Sequence, residues 1–309
     1  MKTARRITSN FLSLSISEVV AKILQVATFV FIARFFGSEE FGKFSFGLSF
    51  ALLTFVFIDF GLSRLLIRDV SRNRGIANKY ASNSLAVKFF LSIITLIGTY
   101  AFLKLFNYPL DTQIITYIMV SSIILQAFNE TFYSIFKAFE RMYYESVIKV
   151  LRILMLLSLV LLFSLKGYNL VTIVLAFLIS EFIILFVSIG ITFKKFVRIK
   201  LEFQYSFGIS LLKKSSLFFF TLVFTGILLY IGTIMLSKLT TADDVGLYSA
   251  ASNLVIAVLS LPVMYSVAIF PAMSRFFLAS KSKLKFAYEK SFKYMLLFGL
   301  PMAIGIFIY

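Results

Sequence analysis

The chain has 309 residues, 60% of them hydrophobic, and a mean hydropathy of +0.95; an average soluble domain is about 45–50% apolar, so a soluble enzyme or binding module is excluded. The net charge of +17 does not point to nucleic acid, because the basic residues fall between apolar runs. Cysteine and histidine are both absent, which excludes disulfides, thiolate or imidazole metal sites and histidine-based triads.

In chain order, "MKTARRITSN" leads into an apolar run that continues to about Ile32. That run is longer than a signal-peptide core and carries Glu18 and Lys22 with no small-residue cleavage site, so it predicts a retained first helix. Repeated apolar runs of membrane-spanning length predict about nine transmembrane helices, at 10–33, 41–60, 81–103, 112–133, 146–165, 169–193, 215–236, 246–271 and 291–309. The fold class is an all-α polytopic membrane protein.

The loops alternate in charge. The N-terminus with 61–80, 134–145, 194–214 and 272–290 holds 21 Lys and Arg; 34–40, 104–111, 166–168 and 237–245, with Lys43 just beyond, hold five. Cytoplasmic loops keep the positive charge, so the expectation is a multi-pass protein of the cell membrane with its N-terminus in the cytoplasm.

Two outer loops share a phrase. "ARFFGSEEFGKFSF" (33–46) and "SKLTTADDVGLYSA" (237–250), at an offset of 204, share a basic residue, an acidic pair, a glycine, an aromatic and a serine. Six spans separate the copies, which puts them on the same side and predicts a parallel repeat: a first six-helix lobe over 1–200 and a partial second lobe over 201–309. The chain stops at Tyr309 inside the ninth run, so the expectation is a fragment of a longer protein.

The acidic pairs Glu39–Glu40 and Asp243–Asp244 could serve an outer-face glycosyltransferase, but Ser38 and Thr241 before them are good N-cap residues and carboxylates suit a first helical turn. "DFG" at Asp59–Gly61 lacks any nucleotide loop around it and is expected to be a helix exit. There is no phosphate-binding "GKS" or "GKT", so no nucleotide, metal or other cofactor is expected.

Charges inside the spans carry more information. Span 1 has a polar stripe of Asn10, Ser13, Ser17, Glu18, Lys22, Gln25 and Thr28 opposite Leu12, Ile16, Val19, Val20, Ile23, Val26 and Val30. Lys88, Asn129, Glu130, Lys149, Arg152 and Glu181 also fall within or at the openings of spans. Ionisable groups at such depth face a bundle interior or a wet cavity. Lys22, Lys88, Arg152, Gln25 and Asn129 are therefore the expected substrate-binding residues, and Glu18, Glu130 and Glu181 the ion-coupling candidates. The structural alternative is internal pairing, as between Glu18 and Lys22 four residues apart.

The polar first helix, "ARFFGSEEFGKFSF", a span ending "DFGLSRLLIRDVSR" and the later "IFPAMSRFF" together resemble the polysaccharide-synthesis flippases of the multidrug/oligosaccharidyl-lipid/polysaccharide (MOP) exporter superfamily. The resemblance implies a MATE-like fold of two six-helix lobes around a central cavity. It also implies a non-enzymatic transporter that flips polyprenyl-phosphate-linked oligosaccharide by alternating access, among membrane lipids and glycan-assembly enzymes. A drug or ion antiporter of the same fold is the alternative; a membrane glycosyltransferase or polymerase is a weaker one.

Overall fold

The computed structural model describes residues 2–200, 202–256 and 280–308. They form helices α1 (Lys2–Asp59), α2 (Leu62–Arg72), α3 (Ala77–Leu105), α4 (Leu110–Ala138), α5 (Tyr143–Leu165), α6 (Leu170–Lys195) and α7 (Tyr205–Leu239). Then come α8 (residues 242–256 as far as described) and α9 (Lys281–Ile308). Six of these helices are long and apolar enough to cross a membrane.

The first of them runs through both predicted spans at 10–33 and 41–60. A straight helix of the 44 residues Ile16–Asp59 would be about 66 Å long, twice the hydrocarbon thickness of about 30 Å. Gly37, at φ 81° and ψ 174°, breaks it instead, in a backbone region that glycine enters without steric cost. The two arms fold back on each other: the Phe29 and Phe44 rings meet edge-on at 5.6 Å. The polar stripe of the first arm is buried only in part: Glu18, one of its members, is exposed. Ser17, Thr28 and Phe29 are buried, while Ile16, Val20, Ile23 and Val30 are exposed.

The predicted spans at 81–103, 112–133, 146–165, 169–193 and 215–236 correspond to α3 to α7, each helix extending past its apolar run. The count of nine is not carried through. Most of the eighth span, and "IFPAMSRFF", lie outside the described residues. Helix α9 opens with Lys281, Lys283, Lys285, Glu289, Lys290 and Lys293 and then runs uncharged from Tyr294 to Ile308, inside the predicted span at 291–309; it is not one of the six, which are counted over the described residues. The basic segment 61–80, expected as a loop, holds α2, which buries Leu62, Leu65, Leu66 and Val70 and exposes Arg64, Arg68 and Arg72. Its spacing of apolar residues is that of an amphipathic helix.

Helix α4 is central, packing against α1, α2, α3 and α6, while α7 lies against α1, α2 and α3. The loops gather into two ends. At one, Lys238 donates to the Phe106 carbonyl and sits 3.8 Å over the Tyr108 ring, whose hydroxyl meets Ser237 at 2.8 Å. At the other, Glu202 and Gln204 bond Ser82 and Asn83, Lys200 bonds Asn78, and Phe196 packs on Phe136, Phe139 and Tyr144. The first end collects the weakly charged loops and the second the basic ones. Tags inserted in 61–80 and 194–214 should therefore report cytoplasm, and tags in 104–111 and 237–245 the outside. A basic loop found outside would reverse the assignment.

Candidate functional site

The two copies of the repeated phrase touch each other. A Cβ on Gly42 would overlap the Ala242 carbonyl oxygen, and a Cβ on Gly246 would overlap that of Ser38. At the offset of 204, Gly42 corresponds to Gly246 and Ser38 to Ala242. The contact is thus reciprocal, as at a two-fold interface. Only glycine lets the α1 and α8 backbones come this close. The Ser38 hydroxyl donates across the contact to Asp243, while Thr241 and Asp244 form a capping box that opens α8. Glu39 and Glu40 are held by Lys43 at 3.2 and 2.5 Å. These acidic residues act as helix openers and pairing groups, and no cluster able to hold a metal occurs among the described residues.

Beneath this contact lie two adjoining voids that share Lys22, Gln25, Phe29 and Asn253. One is a groove between α1 and α8, otherwise bordered by Val26, Val30, Ala33, Phe41, Ala250 and Leu254, with Arg34 among its lining residues. The other is a small polar chamber of about 100 Å³, below the range of about 300–1,000 Å³ typical of pockets for drug-sized ligands. Its lining repeats at the offset of 204: Ser45 with Ser249, Ser49 with Asn253, Phe29 with Thr233, and Gln25 with Leu229. Residues on and around both copies of the repeat therefore line it. Among the described residues no carboxylate lines either void.

The expected site residues divide three ways. Lys22 and Gln25 border both voids, and neither has a hydrogen-bond or ion-pair partner among the described residues. Lys88 does not join them. It is fully buried, 2.8 Å from Asp59, and donates to Ser63 at 3.0 Å and to the Ala127 carbonyl at 2.7 Å. Ser63 in turn donates to Asp59. All three ammonium protons are used, tying α3 to the α1–α2 turn and to α4.

Arg152 and Asn129 lie elsewhere in the first bundle. Arg152 meets one oxygen of Glu181 at 3.1 Å and the Asn129 amide donates to the other at 3.0 Å. The remaining carboxylates belong to an alternating chain. Glu18 lies 3.7 Å from Lys149, Lys149 lies 2.8 Å from Glu145, and Lys137 bridges Glu145 and Glu130 at 3.1 and 3.0 Å. The expected Glu18–Lys22 pair does not form, because Lys149 of α5 takes Glu18. Of the cations read inside the first-bundle spans, Lys22 alone lacks a carboxylate partner among the described residues.

The sequence marks Asp59 only as a helix exit and Lys137 only as a loop residue, while Glu145 stands with Lys149 and Arg152 at the opening of the span at 146–165. It leaves Ser49, Asn253 and Tyr230 unassigned. The signal for the chamber was already present in the repeat, since Ser45 and Ser249 are equivalent members of the shared phrase.

Comparison with solved structures identifies the fold. The chain is similar to the MATE multidrug transporter DinF-BH at a TM-score of 0.68 and 18% identity, over 98% of this chain and 72% of that one. It matches an inward-facing multidrug resistance MATE transporter of the MOP superfamily equally, at 0.68 and 14%, over 96% and 72%. A MOP superfamily transporter from Pyrococcus furiosus, described as having a binding pocket of reversed polarity, matches at 0.51 and 14%, over 91% and 74%. At these identities the likeness establishes the fold alone, the all-helical MATE-type fold. The family model for polysaccharide biosynthesis proteins matches residues 7–277, and the chain belongs to that family. No curated protein matches it.

Proposed function

We propose that this protein moves a polyprenyl-phosphate-linked oligosaccharide across the membrane by alternating access. The observation that carries the reading is Lys22: an embedded cation with no carboxylate partner among the described residues, set where an apolar groove joins a polar chamber. An unpaired charge inside the bilayer is costly, and such a position is retained where an anion arrives to pair with it. A lipid-linked sugar has the matching pattern of apolar tail, phosphate and polar head. The tail lies in the α1–α8 groove toward lipid, the phosphate pairs with Lys22 as a charge-assisted contact, and the sugar enters the chamber. The chamber spares the head group the cost of crossing about 30 Å of hydrocarbon. The Lys22 ammonium, with no carboxylate beside it among the described lining residues, disfavours a cationic drug.

The test is Lys22→Gln in the full-length protein, scored by surface glycan and by membrane abundance. Glycan export should fall by at least about tenfold, the scale of one charge-assisted contact, with abundance unchanged because Lys22 supports no folded-state ion pair. Full export by this variant would remove the reading.

A further inference from the structure

Buried hydroxyls in these helices mostly bond their own backbone: Thr28, Ser92, Thr116, Ser180 and Thr192 each donate to the carbonyl four residues earlier. Ser45 and Ser249 do not. Each is about 3% exposed, each lines the polar chamber, and neither hydroxyl has a hydrogen-bond partner among the described residues; Thr131, Ser164 and Ser188 are also without one, but they line neither void. They are equivalent residues of the two halves, each three positions after a contact glycine. A buried hydroxyl left unbonded costs free energy, and two at matching positions around one chamber point to a ligand that satisfies both.

The chemistry of the lining narrows the ligand. With no carboxylate among the described lining residues and the Lys22 ammonium beside the chamber, a cation meets repulsion that nothing in the lining neutralises. A phosphate takes only donors, and the ammonium suited to it, Lys22, lies where the chamber joins the groove. The chamber itself offers hydroxyls and carboxamides, from Ser45, Ser249, Ser49, Asn253 and Gln25, with the Phe29 and Tyr230 rings beside them. Hydroxyls and carboxamides both donate and accept, as sugar hydroxyls do, and aromatic faces cover the apolar side of a sugar ring.

We propose that Ser45 and Ser249 form a saccharide subsite in which one hydroxyl from each half bonds the first sugar of the lipid-linked substrate. This rests on the flippase reading and adds to it the part of the substrate that is read. Because the subsite draws on both halves, separating α1 from α8 at the Gly42–Gly246 contact pulls the two hydroxyls apart. The sugar is then held while that end is closed and released when it opens.

The test uses the full-length protein in nanodiscs and three probes: a polyprenyl diphosphate, and the same lipid bearing one hexose or one N-acetylhexosamine. The wild type should bind at least one sugar-bearing lipid about tenfold or more tighter than the bare lipid, the scale of two hydrogen bonds. The Ser45→Ala/Ser249→Ala double variant should lose that preference and bind the bare lipid as before. Losing unpartnered hydroxyls should leave its thermal midpoint unchanged, which is measured alongside. An unchanged preference in the variant, or equal weakening toward all three lipids, overturns the subsite. A wild type that binds the bare lipid without sugar preference also overturns the subsite but leaves the flippase reading standing. Failure of the wild type to bind any of the three overturns the flippase reading itself.

Discussion

Replacing Lys88 by methionine should sharply reduce the amount of folded protein in the membrane. The substitution strands the Asp59 carboxylate, which is buried and 2.8 Å from the ammonium. Removing one partner of a buried pair costs about 3–5 kcal/mol, a large share of a typical total stability of about 5–15 kcal/mol. The Ala127 carbonyl and Ser63 also lose their donor, which deepens the loss. Adding Asp59→Asn should recover much of it, because no uncompensated charge then remains. The measurement is the thermal midpoint and monodisperse yield of the single and double variants. The reading of Lys88 as a substrate ligand predicts otherwise: normal yield and midpoint with glycan export abolished, and that outcome would dismantle the structural assignment.

The second large effect should come from Gly42→Val or Gly246→Val. Either side chain overlaps a backbone carbonyl of the other half, and backbone cannot yield as a flexible side chain does. Overpacking of this kind costs about 1–3 kcal/mol. Here the strain is relieved by parting α1 from α8, so it shifts the balance between closed and open outer ends by roughly tenfold or more. The native chain contains no cysteine, so a Ser49→Cys reporter in the chamber has no background. A membrane-impermeant maleimide applied from outside should label it slowly in the otherwise native protein and much faster in either valine variant. Equal rates would mean that the glycine contact does not close the chamber.

The membrane class, the alternation of basic and weakly charged loops and the two copies of one phrase were all written in the sequence. Each is a local property: hydrophobic run length sets the spans, and the periodicity of Ser17, Lys22, Gln25 and Thr28 sets the inward face of one helix. Even Gly42 and Gly246 could be marked, because a repeat reveals itself in one dimension. The partners of the embedded charges could not. Local spacing suggested Glu18 with Lys22, whereas the folded bundle gives Glu18 to Lys149 and leaves Lys22 at the cavity. Lys88, Asn129 and Arg152 looked like Lys22 in sequence, each an embedded polar group beside other polar residues. Tertiary packing separated them by bringing Asp59 to Lys88 and Glu181 to Arg152 and Asn129. A charge in a membrane is defined by what neutralises it, and the neutralising group sits on another helix, 29 residues away in sequence for both Lys88 and Arg152. The same holds for Ser45 and Ser249: the repeat names them as equivalents, and only the meeting of two helices turns them into one chamber.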